Sequence, residues 1–184
     1  MKQITLLFAL LLLTVSLFAE TITLSTGEWA PYTSESMEGF GLACEIATAA
    51  FAAEGIDVEY VFVPWARCEH NVLSGEAVAA LPYTTTDERK KKFAFSDVFL
   101  KCRALVYHKK TGHDFVFNER TDLQNYRLGG VRGYAYVEEL QKIGIEMDLS
   151  NNEEQSIKKL LAGRIDLYIG TEIPTWTLIK NDFP

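Results

Sequence analysis

The polar run Thr84-Thr85-Thr86-Asp87-Glu88-Arg89 carries the residue types best suited to holding a small anion. An arginine guanidinium grips a carboxylate through two parallel charge-assisted hydrogen bonds, while threonine hydroxyls and backbone N–H groups fill the remaining lone pairs. Each hydrogen bond to a charged group is worth about 1.5–3 kcal/mol, so Arg89 with Thr84 and Thr86 can supply a large share of a small solute's affinity. The plainer alternative is a helix N-cap at Thr86 followed by solvated basic residues; it is adopted for Lys90, Lys91 and Lys92 and set aside for Arg89. Trp29 and Trp65 each sit just past a predicted strand, in loops that open at the same sheet edge as Arg89. Two indoles at one rim clamp a flat or aliphatic body and favour a cationic group over a ring face. Tyr32, Tyr83 and Tyr134 are placed to join them.

Other constellations fail on spacing. Gly39-Phe40-Gly41-Leu42-Ala43-Cys44 starts like a dinucleotide fingerprint but has cysteine where the third glycine belongs, and Gly129-Gly130-Val131-Arg132-Gly133 reads as a strand entering a permissive turn. No phosphate-cradling loop or nucleophile elbow is present, so neither a cofactor nor P-loop ATP hydrolysis is expected. In Cys68-Glu69-His70 the first and third residues of a helix do not face each other, which favours packing or solvated roles. His108 and His113 have no partners at metal-ligand spacing, and no metal site is expected. Glu138-Glu139 and Glu153-Glu154 fall on predicted helix surfaces and read as solvated faces.

These residues need a scaffold, and the chain alternates strand and helix signals. Strand Thr21–Ser25, a helix from Leu42 stopped at Gly55, strand Val58–Val63, a helix over Ala66–Ser74 and a small apolar strand Ala77–Leu81 form the first series. A strand at Arg103–His108 follows the polar loop, and the turn-rich stretch 109–125 marks a boundary. The alternation resumes with strand Arg127–Val131, helix Tyr134–Lys142, a strand near Ile145–Leu149, helix Glu153–Ala162 and strand Ile165–Ile169. The expected architecture is α/β, with two lobes at 20–108 and 109–184, each a mostly parallel sheet flanked by helices. Ligands in such sheets sit beyond the carboxyl ends of the strands, where the polar loop lies.

Composition narrows the class further. With 25 acidic against 18 basic residues the formal charge is −7, which argues against nucleic acid as a partner. The 12% aromatic content belongs to a chain that buries a core. Lys2 followed by the apolar run Ile4–Phe18 and small Ala19 reads as a cleaved secretory signal peptide over 1–19, shorter than the roughly 20 residues of a membrane-spanning helix. Export to an oxidising compartment suggests one disulfide and one leftover thiol among Cys44, Cys68 and Cys102; Cys68 with Cys102 is the preferred pair, and Cys44 behaves as a small hydrophobe within a helix.

Taken in order, Trp29-Ala30-Pro31-Tyr32, Gly39-Phe40, Pro64-Trp65, Leu73-Ser74-Gly75, Thr84 to Arg89, Phe95-Ser96-Asp97, Gly130-Val131-Arg132-Gly133 and Gly163-Arg164-Ile165-Asp166 resemble the bacterial periplasmic solute-binding proteins of family 3, the polar amino acid binders of ABC importers. The resemblance implies a monomeric, hinged periplasmic binding protein type II fold that closes on a small carboxylate-bearing solute and hands it to a membrane permease. It implies that Thr84 and Arg89 bind the ligand carboxylate, that Trp29 and Trp65 wall the pocket, and that Arg132, Gly133 and Tyr134 contribute from the second lobe, with Tyr83 counted at the site from its place beside the polar loop. The family's acidic residue for a ligand amino group is expected just after strand Ile165–Ile169; Glu172 is the substitute, one residue late. The aspartate usual after Leu73-Ser74-Gly75 is replaced by Val78 and Ala79. The resemblance also implies a further strand and helices after Phe183, so the second lobe is expected to be incomplete. Alternatives are an exported dehydratase acting on a cyclic carboxylate, with Glu172 as general acid, and a sensor reporting to a membrane partner.

Overall fold

The structure, a computed structural model, describes residues 20–110 and 115–183; the expected signal peptide at 1–19 lies outside the described residues, as does His113. Among the described residues, no helix is long and apolar enough to cross a membrane.

The first sheet takes its centre from β1 (Glu20–Thr26), whose Ile22 and Leu24 point to one face and are buried there with Tyr32, Ala43 and Leu81. The chain then enters α1 (Leu42–Ala53), ends it before Gly55 at φ +76°, and returns as β2 (Ile56–Phe62), parallel to β1 with Leu24 opposite Tyr60. The helix α2 (Trp65–Ser74), stopped by left-handed Gly75, leads to the short β3 (Ala79–Ala80) on the other side of β1. The strand order is β2-β1-β3. Under α2 the sheet face is polar, and the buried Asn71 amide donates to the buried Ser25 hydroxyl at 3.2 Å.

The second sheet repeats this path. After β5 (Leu128–Val131), α4 (Ala135–Lys142), β6 (Asp148–Ser150) and α5 (Glu153–Leu161), the chain returns as β7 (Leu167–Thr171), and with β4 (Ala104–His108) at the edge the order is β4-β7-β5-β6; α3 (Asp87–Lys90) is a single turn in the polar loop. Both faces of this sheet are covered, as a parallel sheet requires. Leu167 and Ile169 of β7 join Leu128, Leu140 and Ile145 on one face, while Tyr168 points the other way to Ile157, Leu160 and Ile165.

Two sequence expectations are revised. The strand β4 (Ala104–His108), expected to end the first lobe, pairs antiparallel with β7, and Val106 opposite Ile169 packs against the core of the second sheet. The segment after β7 is α6 (Glu172–Asp182), a helix not among the elements expected from the sequence. Pro174 falls in the first turn, where its missing N–H has no intrahelical acceptor to lose.

Candidate functional site

In each sheet the strand order reverses at the first strand of its series, between β1 and β3 and between β5 and β7. Such a switch point opens a crevice outside the strand ends. The two crevices face each other, so three loops and a strand end converge: Trp29 after β1, Tyr83 and Thr84 after β3, Gly133 and Tyr134 after β5, and Thr171 at the end of β7. Between them lies a cavity of about 260 Å³ whose lining includes Trp29, Trp65, Tyr83, Thr84, Arg89, Gly133 and Tyr134. These are seven of the nine ligand residues expected from the sequence. Arg132 is exposed outside this lining, and its backbone N–H donates to Ser150 O at 3.0 Å. Glu172 also lies outside the lining, and Thr171 occupies the position at the cavity. The Glu172 carboxylate is paired with Arg103 at 2.7 Å, which holds it below the usual carboxylate range.

Arg89 is buried, at 4% exposure, although it lies in a polar loop. The Thr86 side chain caps α3 by accepting from Arg89 N–H at 3.2 Å, the expected N-cap, while Lys90 and Lys91 are solvated. The Arg89 guanidinium turns inward over the Tyr83 ring, 4.7 Å from its centroid. There Nε donates to Glu69 Oε1 at 2.9 Å, Nη1 to Thr84 O at 3.1 Å and Nη2 to Gly133 O at 2.7 Å. Thr84 therefore contributes its carbonyl to Arg89, and its side chain is exposed. The Gly133 bond joins the two sheet units directly.

The aromatic wall is continuous. Trp65 meets Trp29, Tyr83 and Tyr134 edge to face at 6.3, 5.7 and 6.4 Å, and Tyr83 OH donates to Trp65 O at 2.6 Å. Gly133 makes this closeness possible: its φ is +83°, and a Cβ there would stand 3.2 Å from both Ala66 N and Trp65 Cβ. Gly133→Ala is expected to cost about 1–2 kcal/mol through the left-handed backbone alone and to loosen the junction, measurable as a lower urea midpoint.

Two carboxylates at the junction fall outside the set expected from the sequence. Glu153, expected on a solvated face, is 8% exposed. It accepts from Trp29 Nε1 at 3.2 Å, Tyr134 OH at 2.9 Å and Thr175 Oγ1 at 2.8 Å, a second link across the units. Burial pushes its carboxyl above the usual range, and these hydrogen bonds oppose the shift. The signal was present, because Glu153, Ser156, Ile157 and Leu160 form the i, i+3, i+4, i+7 stripe that α5 buries. Glu69 likewise follows Trp65 by four residues on α2 and so shares its face.

The expected disulfide is corrected: Cys44, Cys68 and Cys102 are all free thiols. Cys68 is buried with its Sγ directed at the Val63 and Pro64 carbonyls, whereas Cys102 is exposed beside Tyr32. Cys44 is the buried small hydrophobe expected, its thiol pushed up to about 11 by burial.

Residues 22–143 match the family model of bacterial extracellular solute-binding proteins, family 3. No curated protein matches. Among solved structures, a histidine kinase sensor domain with similarity to periplasmic binding proteins aligns with a TM-score of 0.82 at 17% identity, covering 89% of this chain and 73% of that one. A Streptococcus pneumoniae ABC uptake transporter substrate-binding protein with bound histidine aligns at 0.73 and 21%, covering 87% and 69%. An ancestral amino acid-binding protein, a precursor of cyclohexadienyl dehydratase, aligns at 0.72 and 21%, covering 88% and 75%. At these identities the likeness establishes the fold, a periplasmic-binding-protein-like α/β architecture.

Proposed function

From the premise that this chain belongs to the bacterial extracellular solute-binding proteins, family 3, we propose that it is the exported binding component of an ABC importer, capturing an amino acid or similar small polar solute between its two sheet units. The observation that carries this reading is the convergence of both switch-point crevices on one cavity, lined from the first unit by Trp29, Trp65, Tyr83, Thr84 and Arg89 and from the second by Gly133 and Tyr134. A site built from two bodies is completed only when they close, and a ligand that touches both stabilises the closed state. The importer's permease is the partner that reads this state. Localisation in the periplasm, a division into two lobes that assigns β4 to the second, and a monomeric state belong to the same proposal.

The alternative of an exported dehydratase is disfavoured by one contact. Its general acid was expected to be Glu172, and the ion pair with Arg103 favours the ionised carboxylate, which has no proton to give.

Thermal denaturation against a panel of amino acids, amines and organic acids tests the reading. A solute at a hundred times its Kd stabilises by about 2.7 kcal/mol, an expected rise in Tm of about 5–10 °C for a chain of this size. A panel in which no solute moves the midpoint overturns the proposal.

A further inference from the structure

The chain has more acidic than basic residues, 25 against 18, yet the cavity between the sheet units reverses that balance. Its lining holds three guanidiniums, Arg89 from the first unit with Arg103 and Arg120 from the second, and one carboxylate, Glu139. Glu139 is held by Arg120 at 3.2 Å. The Glu69 and Glu172 carboxylates that pair with Arg89 and Arg103 lie outside the lining.

A guanidinium in an ion pair still presents its remaining N–H groups, from five in a fixed fork. Arg103 gives Nε and Nη2 to Glu172, which leaves three N–H groups on a side chain that is 75% exposed. Arg89 commits its donors to Glu69, Thr84 O and Gly133 O and keeps one N–H on Nη1. The hydroxyls of Thr84 and Thr171, both in the lining, have no hydrogen-bond partner among the described residues.

Acceptors are scarcer. The carbonyls of Thr84 and Gly133 already accept from Arg89, and the same guanidinium covers the Tyr83 ring at 4.7 Å. An ammonium carries three donors and no acceptor, so it would leave water here without a charged partner. A carboxylate is all acceptor and meets charge-assisted donors from both units.

We infer that the solute is a small dicarboxylate without an ammonium group, one carboxylate held at Arg89 and the other read by Arg103. The inference rests on the solute-binding reading and narrows its ligand class. Arg120 is not the second reader, because its partner Glu139 stands in the lining and repels the same carboxylate. Since Arg89 and Arg103 belong to different units, the diacid also favours the closed arrangement.

Isothermal titration of the purified chain tests this. Succinate against aspartate and glutarate against glutamate isolate the ammonium group, and succinate against butyrate isolates the second carboxylate. Each diacid is expected to bind at least about tenfold tighter than its amino acid, and succinate at least about tenfold tighter than butyrate, about 1.4 kcal/mol in each case. Arg103→Gln breaks only an exposed ion pair, so the unliganded melting temperature should change little. The variant should weaken both diacids at least about tenfold and leave butyrate, which does not reach Arg103, unaffected. Amino acids that bind as tightly as their diacids, or Arg103→Gln that leaves the diacids unchanged or weakens butyrate equally, overturn the inference and leave the solute-binding reading standing. Binding of a different solute with none of these engaged does the same, whereas a wild type that binds no solute overturns both. Should circular dichroism show that Arg103→Gln is unfolded, the wild-type comparisons alone decide.

Discussion

Arg89→Ala is expected to destabilise the chain by about 3 kcal/mol, the low end of the range for breaking a buried ion pair. The low end applies because Glu69 is a quarter exposed and recovers some hydration once its partner is gone. The loss has three sources. Glu69 keeps a charge in a half-dry site, the carbonyls of Thr84 and Gly133 lose their donor, and the Tyr83 ring loses the cation stacked over it. Because the Gly133 bond crosses between the sheet units, part of the cost falls on their junction. Urea denaturation measures the total, and increased proteolytic cleavage near residues 84–90 reports the loosened loop. Arg89→Lys should recover little, since an ammonium cannot address Glu69 and two carbonyls from one plane. A double variant with Glu69→Gln should cost less than the two single changes summed, because it removes the uncompensated charge as well as the pair. An additive double variant would mean that Glu69 and Arg89 contribute independently, contrary to their 2.9 Å contact.

The elements were legible because their signals are local. The helix from Leu42 has an apolar period of 3.6 and a glycine stop, β1 and β2 are β-branched and aromatic, and the loops after strands hold the tryptophans and the arginine. Pairing is not a local property, and Ala104–His108 shows the consequence. Its sequence reads as a strand in either unit, and only contact with Ile169 across 63 residues assigns it to the second sheet. The site was half legible for a related reason. Arg89 was singled out by its type and its place after a strand, but which carboxylate it holds depends on the facing side of α2, where Glu69 lies beneath the loop. Glu153 was hidden by its neighbour. Two adjacent glutamates at a helix start suggest a solvated turn, yet positions 153 and 154 lie about 100° apart around the helix, and only Glu153 is on the buried stripe.

That burial gives Glu153 a pH signature. Its carboxyl is pushed above its ordinary value of about 4.5, first by desolvation, while bonds from Thr175, Tyr134, Trp29 and Tyr168 act in the other direction. A group whose folded value exceeds its unfolded one holds its proton longer in the folded chain. Its contribution to stability is therefore complete below about 4.5 and is lost as the pH rises through the folded value. Glu153→Gln removes this titration but keeps the shape and an oxygen that accepts from Trp29 and Tyr134, and the Thr175 hydroxyl can rotate to accept from the new amide. The variant should match the wild type near pH 4 and gain on it steadily towards pH 7, read as the difference in denaturation midpoints across that range. A difference that shrinks with rising pH would show the ionised form to be the favoured one and overturn the assignment. Glu153→Ala separates the charge from the scaffold. It strands the donors of Trp29, Tyr134 and fully buried Thr175, each costing about 1–3 kcal/mol, so a loss of about 3 kcal/mol or more should persist at every pH. The contrast follows from the two tasks of this carboxyl group: its oxygens tie the two sheet units together whatever its protonation state, while its charge opposes folding.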